Sequence, residues 1–137
     1  WGNVTARDGV VFAMGGKNGG VESVDLKTGA TLATAGGKIT SPFHYPILAG
    51  DHLISLDMKG SFGVAQVSAD GRQIKLIGDS RLGDRVFGER DSSVLDMKFS
   101  YGCQLFASGN RLFVRSMTDL YCLGDPNAPL RLSKEHQ

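Results

Sequence analysis

The sequence predicts an all-β chain of short antiparallel strands, and three observations carry that reading. Apolar runs of strand length recur between turn signals, and no segment shows the 3.6-residue apolar period of an amphipathic helix. Glycine, at 19 of 137 residues beside four prolines, is about twice its usual ~7%. The glycines keep no three-residue period, which excludes a collagen-like chain, and an apolar fraction of 41% is too high for simple disorder.

Charge and length narrow the class further. Lys and Arg total 15 against 14 Asp and Glu, a net charge of +1, which argues against a chain that grips nucleic acid with a surplus of basic groups. No apolar run approaches the ~18 residues that cross hydrocarbon, so no membrane span is expected. The length suits one domain or a piece of one. An opening of Trp1-Gly2-Asn3, without initiator Met or apolar leader, reads as a processed or excised segment.

The elements follow in order. Val10 to Met14 is a continuous apolar run that opens after Asp8-Gly9, and the glycine-rich stretch from Gly15 to Gly20 suits a hairpin turn. That stretch is no phosphate loop, because it lacks both a following Lys-Ser/Thr pair and a helix. Val21 to Leu26 alternates at period two, and Lys27-Thr28-Gly29 turns into Ala30 to Thr34. A second cycle runs through Pro46 to Ala49, turn Gly50-Asp51, His52 to Asp57, Phe62 to Val67, turn Ala69-Asp70-Gly71, and Gln73 to Ile77. The third runs Cys103 to Ala107, turn Ser108-Gly109-Asn110, Arg111 to Arg115, and Leu120 to Leu123. Strands of this length at such spacing mean a sandwich, a barrel or propeller blades.

Internal repetition favours blades. Superposing Gly50 on Gly109 aligns Ala49-Gly50-Asp51-His52-Leu53-Ile54 with Ser108-Gly109-Asn110-Arg111-Leu112-Phe113, and Arg7-Asp8-Gly9-Val10-Val11-Phe12 has the same turn-then-apolar form. Repeat starts then fall about 42 and about 59 residues apart, near the ~40–50 of propeller blades. The longer interval implies an insertion over about 83–101. A competing register matches Leu56-Asp57-Met58-Lys59-Gly60-Ser61-Phe62-Gly63 to Leu95-Asp96-Met97-Lys98-Phe99-Ser100-Tyr101-Gly102, and both stay open.

These residues carry a family resemblance. Val21-Glu22-Ser23-Val24-Asp25-Leu26-Lys27-Thr28-Gly29 resembles the ALDxxTG signature of the PQQ-like (quinoprotein-type) β-propeller repeat, whose Asp and Thr-Gly form the turn between the last two strands of a blade. The Trp that usually follows is replaced by the region Ala33-Thr34-Ala35. Ser41-Pro42 with Ala49 to Ile54 is similar to a blade opening, and Leu105 to Ser116 with Leu120 to Gly124 looks like the closing blade of bacterial members. The resemblance implies about three antiparallel propeller blades over 1–124, and the polar composition beyond them reads as a C-terminal tail over 125–137 that is frayed or docked. A closed propeller takes about four to eight blades. The implied segment is therefore a partial propeller or a ring closed by association of copies, and a small self-contained barrel or sandwich is the alternative.

Candidate chemistry is sparse. His44 lies between two prolines and two aromatics and is the weak catalytic candidate; His52 reads as an ordinary strand position aligned with Arg111, and His136 lies in the tail. No two histidines share metal-ligand spacing, and no metal site is expected. Cys103, roughly opposite Val114, and Cys122, roughly opposite Leu112, fall about two strand spacings (~9.6 Å) apart, so both are expected as free, buried thiols. Most carboxylates fall at turns, where an Asp accepts nearby backbone N–H groups. The exception is the charged insertion, where Arg85, Val86, Phe87 and Arg90 form a candidate binding rim.

No cofactor is expected from the residues themselves. PQQ and calcium enter through the resemblance alone, and the Asp base, metal ligands and Trp platform of the quinoprotein dehydrogenases find no counterpart in this sequence. The reading is a non-catalytic binding or scaffolding module, in a bacterial, periplasmic or secreted setting that the resemblance implies, with a protein partner, the remaining blades or further copies of itself as partners. The competing readings are a quinoprotein-like or carbohydrate-active enzyme with its site at the propeller mouth, and a small metal-dependent β-barrel enzyme.

Overall fold

Apolar side chains at every second position decide how the strands fold. In β2 (Val10–Met14), Val10, Phe12 and Met14 are buried while Val11 and Ala13 are half-buried. Such a strand needs cover on one face and neighbours on both edges. The computed structural model describes residues 3–14, 20–36, 46–56, 61–81, 104–115 and 119–129. Among them β2 pairs antiparallel with β1 (Asn3–Arg7) and β3 (Val21–Asp25), and β4 (Thr31–Ala35) completes a four-stranded meander. A second meander contains β5 (Ile47–Ala49), β6 (His52–Leu56), β7 (Ser61–Val67) and β8 (Ile74–Arg81). The third contains β9 (Gln104–Ser108), β10 (Arg111–Arg115) and β11 (Leu120–Leu123). The expected all-β architecture of three antiparallel units is the observed one.

Each meander opens on a two-residue hairpin. Arg7 pairs with Val10 across Asp8-Gly9, where both residues have positive φ (50° and 82°), the type I′ geometry whose twist matches the strands. Ala49 pairs with His52 and Ser108 with Arg111, with glycine of positive φ (Gly50 and Gly109) at the first turn position. The tie beside the turn also repeats: Leu26 N–H donates to Gly9 C=O and Val67 N–H to Asp51 C=O, both at 2.8 Å. These hairpins fall at the positions the repeat alignment expects.

The three sheets stack in series. The face of sheet 1 that carries Phe12, Met14 and Val21 packs on the face of sheet 2 that carries Leu53, Ala65 and Val67. The opposite face of sheet 2, with Leu56 and Phe62, packs with Val114 of sheet 3, against which Leu112 and Tyr121 also lie. The middle sheet is thus apolar on both sides. A bulge interrupts each of sheets 1 and 2: in β4, Leu32 is the extra residue between Thr31 and Ala33 and turns into the first cluster; in β8, Ile77 is extra and faces out.

Polar contacts also cross the first interface. Ser23, fully buried on β3, donates its hydroxyl to Gly71 C=O at 2.5 Å in the turn between β7 and β8. Gly71 has φ +71°, and a Cβ there would meet Val10 Cγ1 at 2.5 Å. The turn of sheet 2 therefore sits on sheet 1 with no room for a side chain. Arg7 Nη1 donates to Gly50 C=O across the same pair of sheets.

Three sequence expectations need correction or extension. Cys122 pairs with Phe113 rather than lying opposite Leu112, and it is free and exposed rather than buried. A one-residue error in register moves a side chain to the other face. Strand β1 was not foreseen, because Val4 and Ala6 are its sole apolar residues and its buried-face positions are polar. Strand β8 extends to Arg81, beyond the expected end at Ile77. Cys103 and the competing register from Leu95 lie outside the described residues.

Gly71→Ala is expected to destabilise the fold by roughly 2–4 kcal/mol, the left-handed backbone and the overpacking against Val10 adding together. Gly29→Ala, at φ +73° with open space around it, is expected to cost only about 1 kcal/mol. Urea unfolding of the two variants checks this, and equal losses would contradict the inter-sheet contact.

Candidate functional site

In a meander that opens on a tight hairpin, the first and third connections fall at the same end of the sheet. The stacking then lines up these turns from successive sheets along one rim. Asp25, the last residue of β3, builds the first: its Oδ1 accepts Lys27 N–H at 3.0 Å, Thr28 N–H at 2.7 Å and the Thr28 hydroxyl at 2.9 Å, and Gly29 follows at positive φ. Asp70 builds the second, accepting Arg72 N–H at 3.1 Å and the Ser68 hydroxyl at 2.6 Å, while Ser68 Oγ accepts Gln73 N–H. Asp125 accepts Asn127 N–H at 2.9 Å beyond β11. Each is an aspartate satisfying a backbone donor two residues on, the chemistry that favours Asp at turns.

Between the rims of sheets 1 and 2 lies an open cleft of about 490 Å³. Its apolar floor is Val10, Leu26 and Leu32; Asp8, Asp25, Asp70, Lys27 and Arg72 surround it. Hydrogen bonds from Thr28 hold the Asp25 carboxyl below the usual range near 3.8, with help from the Arg72 charge. The Ser68 hydroxyl and Arg72 N–H do the same for Asp70, again with Arg72 contributing. The Arg72 charge thus acts on carboxylates from both sheets.

These carboxylates stay ionised at neutral pH and cannot act as proton donors there, whereas a general acid needs a pKa near the working pH. No histidine among the described residues lines the cleft. Among the described residues no three His, Cys, Asp or Glu side chains converge to hold a metal ion. What the cleft offers is an apolar floor with fixed charges of both signs, which suits binding of a polar group. Among the described residues the cleft does not fit PQQ and calcium: Asp25 and Asp70 are committed to their own turns, and no described aromatic ring lines it to stack on a flat cofactor.

The candidates from the sequence are placed unevenly. His44, Arg85, Val86, Phe87 and Arg90 lie outside the described residues. His52 opens β6, with Nδ1 2.7 Å from Asp51 Oδ1, and Asp51 also accepts from Gln66 Nε2 at 2.6 Å. Arg111 occupies the equivalent place in sheet 3, where its Nη2 donates to Ala128 C=O at 2.8 Å. With Asn110 Nδ2 donating to Pro129 C=O, this docks the start of the tail on the third sheet's rim. The rim cleft itself was not foreseen. Its aspartates read correctly as turn residues, but nothing local to residues 8, 25 and 70 says that they meet. No protein-family model matches the chain, and no curated protein matches it.

Acid should loosen these turns. With folded pKa values below the unfolded value for Asp25, Asp51 and Asp70, their stabilisation is complete above about pH 3.8 and is lost as pH falls through the lower folded values. Thermal melts from pH 6 to about pH 2 should show a fall in Tm beginning below about pH 4. In Asp25→Asn and Asp70→Asn that fall should be shallower; an unchanged slope in both variants would contradict the assignment.

Proposed function

We propose that this chain is a run of three blades of the PQQ-like β-propeller class and works as a non-catalytic binding or scaffolding module of the bacterial envelope. The observation that carries the reading is the serial, same-sense stacking of three meanders, with the middle one covered on both faces. The opening strands β1, β5 and β9 approach one another in succession, and β4 approaches β8, as expected for blades fanned about an axis. The Asp25-to-Gly29 turn lies between third and fourth strands, where the family resemblance puts its signature. The rim cleft then forms between two blades and takes a polar group of a partner. Ionised, turn-bound carboxylates support binding over acid–base chemistry at that place.

The test is turnover. Purified protein supplied with PQQ and calcium should reduce no artificial electron acceptor in the presence of alcohols or sugars, and should release no chromophore from a panel of aryl glycosides. Turnover in either assay, abolished in His44→Ala, would overturn this reading in favour of an enzyme.

A further inference from the structure

The stack repeats with the same sense, so each sheet has a forward face that covers the next sheet and a rear face that receives the previous one. Register from the opening hairpins makes the positions comparable. Phe12, Ile54 and Phe113 occupy one forward position, and Val21, Phe62 and Leu120 another. At the second, Val21 is 2% and Phe62 7% exposed, whereas Leu120 is 68% exposed. The forward face of sheet 3 carries Phe106 stacked on Phe113, with ring centroids 4.7 Å apart, and the exposed Cys122 beside them. The rear face of sheet 1 carries Val4, Ala6, Val11, Ala13 and Val24, of which Val11 and Val24 take the positions of Leu53 and Ala65, both buried in sheet 2.

We propose that two copies of this chain close head to tail, the forward face of sheet 3 of one seating on the rear face of sheet 1 of the other. The inference rests on the blade reading and deepens it, by naming the occupant of the open faces. Three things select a second copy. The contact continues an interface the chain already makes twice within itself. Charge matches as well: Arg115 takes the forward position of Leu56, and Glu22 takes the rear position of Tyr121, residues that share one apolar cluster inside the chain. Both Arg115 and Glu22 are exposed, so the continued contact brings a cation to an anion.

Area agrees too. Three strands ~4.8 Å apart and about five residues long at ~3.4 Å span roughly 250 Å². A ring of two copies makes the contact twice, and counting both partners it buries on the order of 1,000 Å², the lower bound for a specific interface. Six sheets also fall within the ~4–8 blades of closed propellers, and closure of a head-to-tail contact gives a finite ring instead of a filament.

Light scattering and sedimentation across a dilution series test this on the full chain. The expected mass is twice 14.6 kDa. Glu22→Arg and Arg115→Glu should each weaken the dimer by roughly tenfold or more, and the double reversal should restore it. Phe106→Asp, a change at an exposed position, should give monomer with an unchanged far-ultraviolet β spectrum. A wild-type monomer, a mass that grows without limit, or a dimer indifferent to all these variants would overturn the proposal. A monomer without turnover overturns the second copy alone, whereas turnover in the assays above overturns the binding-module reading whatever the mass.

Discussion

The middle sheet has to bury both of its faces, and most of the architecture follows from that requirement. Leu53, Ala65 and Val67 point one way and Leu56 and Phe62 the other, all of them 7% exposed or less. A lone sheet with that pattern would leave several large apolar side chains in water, each worth about 1.5–3 kcal/mol when buried. Sheets 1 and 3 supply the cover from opposite sides. Apolar packing sets the separation but does little to fix the relative slide of two sheets. The Ser23 hydroxyl on Gly71 C=O, the close seat of Gly71 on Val10 and the Arg7 contact to Gly50 C=O give the first interface a defined register.

That register also makes the rim. Because the Gly71 turn is pinned to sheet 1, Asp70 and Arg72 come to stand beside Asp25 and Lys27, and the cleft between them is a by-product of stacking. The local chemistry of each turn is self-contained, with aspartates holding their own backbone. This leaves the basic side chains and the apolar floor as the groups a partner would meet. The same economy appears at the third sheet, where Asn110 and Arg111 hold the start of the tail.

Much of this fold was legible because its signals are local. The apolar alternation of Val10 to Met14, the glycines of the opening hairpins, and the Asp25-Thr28-Gly29 turn each act within a few residues, and strands fell where those signals placed them. The parts that were missed depend on distant partners. Strand β1 exists because β2 needs an edge neighbour, not because Asn3 to Arg7 looks like a strand on its own. The exposure of Cys122 turned on a register that differs by one residue from the sequence reading. Ser23 looked like an ordinary polar position in an alternating strand, and its role appears only when the turn of another sheet arrives above it. The cleft was hidden for the same reason, since pairing sets Asp8 and Asp25 at one end of sheet 1 and stacking alone brings Asp70 to them.

Sheet 2 is covered from opposite sides by sheets 1 and 3, in that order. Methyl and aromatic nuclear Overhauser contacts in solution test it most directly. Leu53 and Val67 should give cross-peaks to the Val10, Phe12 and Val21 set, while Leu56 and Phe62 should give them to Val114 and its neighbours. Cross-peaks from Leu53 and Leu56 to one and the same sheet, or Phe62 without any contact to sheet 3, would contradict it.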